Sequence, residues 1–184
     1  MLTQGFVAVA LVLTVCGCAP SPQVAVPPVP RGAEGTSIYN IWNHHNGRVP
    51  AVERSESGVG TILSPEYFKV VNLVPQDAPH PLYADSSLRT RFLADHMLFE
   101  TVDPDDQRLL TPSGLQTLTI GDSPITFKKD SNGHTKVNGV LVDRVEKLPS
   151  GIVVYHISDI LYNYAQKVDA EFKKLSSGDF GSPF

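Results

Sequence analysis

The chain has 184 residues, with 15 Lys and Arg against 19 Asp and Glu, a formal charge of −4 and a hydrophobic share of 41%. That length allows one domain of ordinary size, and the hydrophobic share argues for a packed interior rather than a disordered chain. The mild acidity, with no stripe of Lys and Arg, argues against nucleic acid as a partner, because phosphate binding needs concentrated positive charge.

The N-terminus reads as an address. Residues 6–15 (FVAVALVLTV) form an apolar run too short to span a bilayer, and the small residues Gly17, Cys18 and Ala19 follow it. This is the outline of a secretory signal peptide over residues 1–19, without a basic n-region. Val15-Cys16-Gly17-Cys18 also resembles a bacterial lipobox, and in that version Cys18 is lipidated and tethers the chain to a membrane. A Cys16–Cys18 bridge would close too small a ring, so the fold must be stable without disulfides. Residues 20–35, rich in proline, read as an extended tether, residues 36–178 as one domain and residues 179–184 as a flexible tail.

Within the domain, Ser37 is placed to cap a short helix through Ile38, Tyr39, Ile41 and Trp42, ending near Asn46-Gly47. The stretch to Ser64 is weakly patterned and reads as loop. Val70-Val71-Asn72-Leu73-Val74 is a β-branched run stopped by Pro75 and predicts a buried strand. Three prolines make residues 75–81 a loop, and Asp85 or Ser86 opens an amphipathic helix. Leu88, Phe92, Leu93 and His96 fall on one face of it, with Arg89 and Arg91 opposite.

After the polar break at Asp103-Pro104-Asp105-Asp106 the period becomes alternating. Strands are expected at residues 115–120, 124–129, 135–138, 140–142 and 152–157. Asn132-Gly133 is the strongest hairpin signal, since both residues tolerate positive φ. Ser158 is a plausible cap for a final helix whose apolar face is Ile160, Leu161, Tyr164, Val168, Phe172 and Leu175. The expected fold class is α+β, a single domain of mainly antiparallel short strands flanked by helices.

No set of residues for catalysis, metal or cofactor emerges. His44 and His45 are adjacent, roughly 100° apart on a helix, and His80, His134 and His156 lie in separate segments without HxH or HExxH spacing. Asp95 and His96 are neighbours on a helix and diverge, so they do not form a base with its orienting acid. No Gly-x-Ser-x-Gly nucleophile motif is present. His96 continues the apolar stripe and reads as a core histidine donating one hydrogen bond. Gly58-x-Gly60 lacks the third glycine of a phosphate loop, and the acidic break lacks the glycine and distal glutamate of a calcium loop.

Four segments, in order, resemble a fasciclin-like (FAS1) domain. Val71-Asn72-Leu73-Val74-Pro75-Gln76-Asp77-Ala78 is similar to its first motif, a buried strand ending in Ala/Val-Pro-Thr-Asp/Asn. Arg91-Phe92-Leu93-Ala94-Asp95-His96-Met97-Leu98 resembles the central Leu-x-x-Tyr-His motif, with Asp95 where the family has Tyr. Thr117-Leu118 to Asn138-Gly139-Val140 resembles the hairpin region. Residues 150–161 resemble the closing strand, with one residue inserted after Gly151, so that the family's His and Asp positions fall on Tyr155 and Ser158.

The resemblance, closest to small single-domain fungal members, implies a non-enzymatic adhesion or protein-interaction module of the secretory pathway. It would sit in the vacuole lumen or be secreted or held at the cell surface, and would take a protein or glycan ligand and no cofactor. Pro75, Asp77, His96, Asn138, Gly139 and Tyr155 would be structural motif residues, with His96 and Asn138 as satisfied polar groups fixing helix against sheet. Animal members bind integrins through an Asp-Ile shortly before the closing strand. Val145-Glu146-Lys147 stands there, so integrin binding is not supported. The alternatives are an envelope or vacuolar hydrolase using His96 or His156, and a bacterial envelope lipoprotein carrying the same fold.

Overall fold

A computed structural model describes residues 26–30, 32–46 and 58–177, so Cys18, the leader and residues 178–184 lie outside the described residues. The architecture is α+β. Helix α1 (Ser37–Asn46) is followed by strand β1 (Thr61–Pro65), two short helices α2 (Tyr67–Val71) and α3 (Pro81–Ala84), helix α4 (Ser86–Asp95) and strand β2 (Met97–Leu98). A 3-10 turn at Gln107–Leu110 leads to β3 (Leu115–Leu118), β4 (Pro124–Lys129), β5 (Thr135–Val137), β6 (Val140–Lys147), β7 (Val153–Ile157) and helix α5 (Tyr164–Ser177). The strands form one sheet of order β2-β1-β7-β6-β5-β4-β3. It is mixed: β7 runs parallel to β1, and the other pairings are antiparallel.

β1 replaces an expected loop. All five of its residues are buried, because helices cover one face and the 3-10 turn region covers the other. A strand buried on both faces has no polar alternation to betray it. The sheet also separates two apolar cores. Ile62 and Val154 point to the helical side with Phe92 and Trp42, while Leu63, Tyr155 and Ile157 join Phe127 and Leu109 on the other.

The expected strand at residues 70–74 is instead the end of α2 and a turn. Only Val70 and Val74 are buried there, four residues apart as on a helix face, while Leu73 is half-buried and Asn72 exposed. Consequently Pro75 and Asp77, assigned to a strand-ending motif, lie exposed in a loop. The buried strand that does end in proline is β1, at Leu63-Ser64-Pro65.

Other boundaries move for identifiable reasons. The cap of α1 is Thr36, whose hydroxyl accepts from Tyr39 N at 3.1 Å, rather than Ser37, whose hydroxyl donates to Pro65 O at 2.7 Å. Val29 and Ala33, inside the expected tether, are buried in the helical core, so packing begins upstream of residue 36. Asp85 caps α4 as expected, accepting from Ser87 N at 2.7 Å and Leu88 N at 3.2 Å. Arg89 is not on a solvent face. It is buried and donates to Tyr83 O at 2.9 Å, satisfying a carbonyl at the end of α3.

Helix α5 starts at Tyr164, not at residue 159. Ile160 belongs to the helical core and Leu161 to the opposite core, and one helix face could not reach both. An irregular turn with Tyr162 at φ +56 makes that division before the helix begins.

The hairpins form as expected, but the turn types exchange. At Asp130–His134 only Gly133 has positive φ, closing a loop with Gly133 N to Asp130 O at 3.0 Å. The two-residue turn with both φ positive is Asn138-Gly139, at +48 and +85, joining Val137 to its partner Val140.

Candidate functional site

The C-terminal end of α4 carries two buried polar residues, Asp95 in its last turn and His96 as its C-cap. His96 is fully buried. Its Nδ1 lies 2.8 Å from Phe92 O, and a carbonyl only accepts, so Nδ1 carries the proton and donates. Nε2 is then an unprotonated acceptor, and it has no hydrogen-bond partner among the described residues. The expected core histidine is therefore present but half satisfied. Its ring stacks on Phe92 at 4.2 Å and tilts against Tyr164 at 5.8 Å. Burial pushes its pKa down to about 4, outweighing the Phe92 carbonyl and Asp95, which pull the other way.

Asp95, 2% exposed, does not hydrogen-bond His96. It accepts from Ser123 Oγ at 2.7 Å, Tyr164 OH at 2.5 Å, Thr119 Oγ1 at 3.4 Å and Arg91 Nε at 3.2 Å. These donors come from α4, the turn after β3, and α5, so one carboxylate ties three elements together. Burial and this hydrogen bond hold the Tyr164 hydroxyl protonated well beyond its ordinary range. Apart from Arg91, four residues back on the helix, its partners lie 24 to 69 residues away, so the sequence pattern around Asp95 did not signal this role.

The other motif residues disperse. Tyr155 is buried, donates to Val102 O at 3.1 Å and packs edge-on against Phe127. Asn138 is exposed and does not fix helix against sheet. Its Oδ1 accepts from Thr126 N and its own N donates to Thr126 O, both at 2.8 Å, so it continues the β4 ladder past the end of β5. With Gly139 it borders an open hollow of ≈ 600 Å³ on the hairpin face.

Of the remaining histidines, His80 caps α3 and contacts Val70 O at 2.9 Å, His44 packs on Tyr83 at 4.4 Å, and His134 is exposed. The side chain of His45 lies outside the described residues.

His156 sits at a polar surface cavity. Ser64, His156 and Arg144 are register partners across β1, β7 and β6, and therefore neighbours on one face. The register between β6 and β7 slips at Val142/Arg144, leaving Asp143 as the extra residue of a bulge. Successive residues of a regular strand face opposite ways, yet here Asp143 and Arg144 line the same cavity. That cavity, ≈ 290 Å³, is also bordered by Ser37, Ser64, Glu66 and Tyr67.

His156 Nε2 lies 3.4 Å from Glu146 Oε2. Burial and then Arg144 lower its pKa, against the opposing pull of Glu146, so the ring is mainly neutral at pH 7. A hydroxyl, a histidine and a carboxylate are thus close together, but Ser64 Oγ is buried against Ser37 Oγ at 3.2 Å and makes no hydrogen bond with His156.

On the far side of Tyr67 an apolar groove of ≈ 400 Å³ is bordered by Phe68, Val71, Val74, Pro75, His80 and Tyr83. Tyr67 and Phe68 are 48% and 64% exposed, which places two large aromatic rings in solvent on one short helix. The polar cavity and the apolar groove thus flank one aromatic ridge. The sequence offered Pro65-Glu66-Tyr67-Phe68 here, which read as a turn, and the β-branched run from Val70 to Val74, which read as a strand. The exposure of the two rings becomes visible only once β1 takes the sheet position.

Among the described residues no three His, Cys, Asp or Glu are grouped to hold a metal ion, and no helix is long and apolar enough to cross a membrane. No protein-family model matches the chain, and no curated protein matches it either.

Proposed function

We propose that the chain is a FAS1-like, non-enzymatic interaction module of the secretory pathway that binds its ligand on the face around Tyr67. The observation that carries this reading is the contrast between buried and exposed chemistry. His96 and Asp95 are enclosed and committed to internal contacts, whereas Tyr67, Phe68 and the charged rim of β6 face solvent. Large exposed aromatics beside a polar rim are the composition of a binding surface.

The FAS1 likeness is supported by the order of elements: a buried strand ending in proline (β1), a helix ending in His96, the antiparallel hairpins and the closing strand β7. Moving the first motif from Val74-Pro75 to Ser64-Pro65 keeps that order. Export rests on the apolar run at residues 6–15 and the small residues after it.

The hydrolase alternative has His156, Glu146 and Ser64 to draw on, and a substrate panel decides it. Wild type and His156→Ala are assayed against chromogenic esters, glycosides and phosphoesters. The expected result is the uncatalysed rate for both, and a rate that depends on His156 would overturn the non-enzymatic reading.

A further inference from the structure

The charge pattern of the polar cavity beside Tyr67 selects a class of ligand. Glu66 and Asp143 border it, and neither carboxylate has a hydrogen-bond or ion-pair partner among the described residues. Glu146, whose Oε2 lies 3.4 Å from His156 Nε2, is a third carboxylate beside the cavity but does not line it. Among these acids stands Arg144, whose described ion pair is a loose 4.0 Å contact to Glu146. The lining is net acidic, so an anion is repelled, while a cation paired with Glu66 and Asp143 leaves the Arg144 guanidinium beside it without an acceptor. A neutral molecule with many hydroxyls meets neither penalty, because each hydroxyl both donates and accepts. Its hydroxyls can donate to Glu66 and Asp143 and accept from Arg144, as charge-assisted hydrogen bonds.

The remaining borders fit the same ligand. Ser37 and Ser64 supply a hydroxyl floor, held in place because Ser37 Oγ donates to Pro65 O at 2.7 Å. The half-exposed Tyr67 ring offers an apolar surface for the carbon face of a sugar ring. The volume, ≈ 290 Å³, lies at the small end of ligand pockets, which run from about 300 to 1,000 Å³. The β-bulge has a purpose in this arrangement, because it is what brings both Asp143 and Arg144 to the cavity.

We propose that this cavity is a glycan subsite for a neutral mono- or disaccharide unit, with Glu66 and Asp143 as acceptors, Arg144 as donor and Tyr67 as stacking surface. The assignment rests on the interaction-module reading and names its ligand class. Because the site is open and its charged side chains are exposed, binding of one sugar unit is weak, with Kd on the order of 1–10 mM.

The test is a titration of the isotopically labelled protein, followed by NMR, with methyl glycosides of glucose, galactose, mannose, arabinose and N-acetylglucosamine. Sulfate and spermidine serve as anionic and cationic probes. Saturable shifts at Ser64, Tyr67, Arg144 and His156 with at least one glycoside are expected. They should weaken about tenfold in Asp143→Asn, Arg144→Ala and Tyr67→Ala, and stay unchanged in Lys173→Ala on α5. The amide spectra of the same samples show that each variant is folded.

No saturable shift with any glycoside overturns the proposal, as does binding of sulfate or spermidine alone. Cleavage of a bound glycoside would leave the subsite standing and overturn the non-enzymatic reading. Absence of both binding and cleavage would remove the subsite and leave that reading intact.

Discussion

His96 shows how a single buried group sets a pH dependence. Its ordinary pKa is 6.5, the value expected in the unfolded chain, and in the fold it falls to about 4. Above pH 6.5 neither state binds the proton and the fold has its full stability. Between pH 6.5 and about 4 the unfolded chain takes up a proton that the folded ring refuses, so stability falls as pH falls through that window. The loss amounts to about 3 kcal/mol in all. His80, whose pKa is also lowered by burial, acts in the same direction. Urea midpoints measured across pH 4–7 are expected to drop for wild type and to drop much less for His96→Gln. Equal slopes in the two proteins would remove His96 as the source.

The same residue shows what sequence can deliver at this scale. Its apolar spacing on α4 was enough to place it in a core. The free Nε2 was not legible, because which polar atoms find partners depends on Phe92 and Tyr164 closing around the ring. For Asn138 the position was visible but the partner was not. A turn residue that completes a neighbouring strand is indistinguishable in sequence from one that only turns the chain.

Among elements, the joint between α4, the turn after β3 and α5 depends on Asp95. Gly121 N donates to Ala94 O at 3.0 Å, which brings that turn against the end of α4, and a Cβ added at Gly121 would run into Asp95 Oδ1. Gly121→Ala must displace either the backbone or the carboxylate, and a loss of about 1–3 kcal/mol is expected. Asp95→Asn removes the charged acceptor from Ser123 and Tyr164 and should cost about 2–3 kcal/mol. Because both act on one joint, the double variant should lose less than the sum. Chemical denaturation of the four proteins checks this, and full additivity would mean that Gly121 and Asp95 act separately.

Elements with one wet face were readable, since α4 and the β3–β6 hairpins carry caps, turns or alternation that local rules detect. β7, buried on both faces, was readable from its unbroken apolar run after Gly151. β1 and α2 were exchanged because the two signals pointed the wrong way. The strand is buried on both faces and has no alternation, while the helix carries the β-branched Val70 and Val71 that favour strands. α5 was placed too early because Ile160 and Leu161 are buried by a turn that mimics the apolar content of a helix.

For the molecule as a whole, the α+β class followed from the alternation of helical and strand periods. The candidate binding face did not, since it assembles α1, β1, α2, β6 and β7 from residues 37 to 157. His156 was visible as a polar residue on an apolar strand. Asp143, Arg144 and Ser64 were not, because a β-bulge and a parallel strand pairing bring them together, and neither leaves a local mark.

The chain's chemistry divides into an enclosed centre that supports the fold and an exposed face, which we propose binds the ligand. The most direct measurement of that division is the NMR titration of the His96 ring nitrogens in the folded protein. The division predicts a proton on Nδ1, a bare Nε2 and a pKa of about 4. A ring titrating near 6.5, with its proton on Nε2 and open to solvent, would contradict it and return His96 to the candidates for acid–base chemistry.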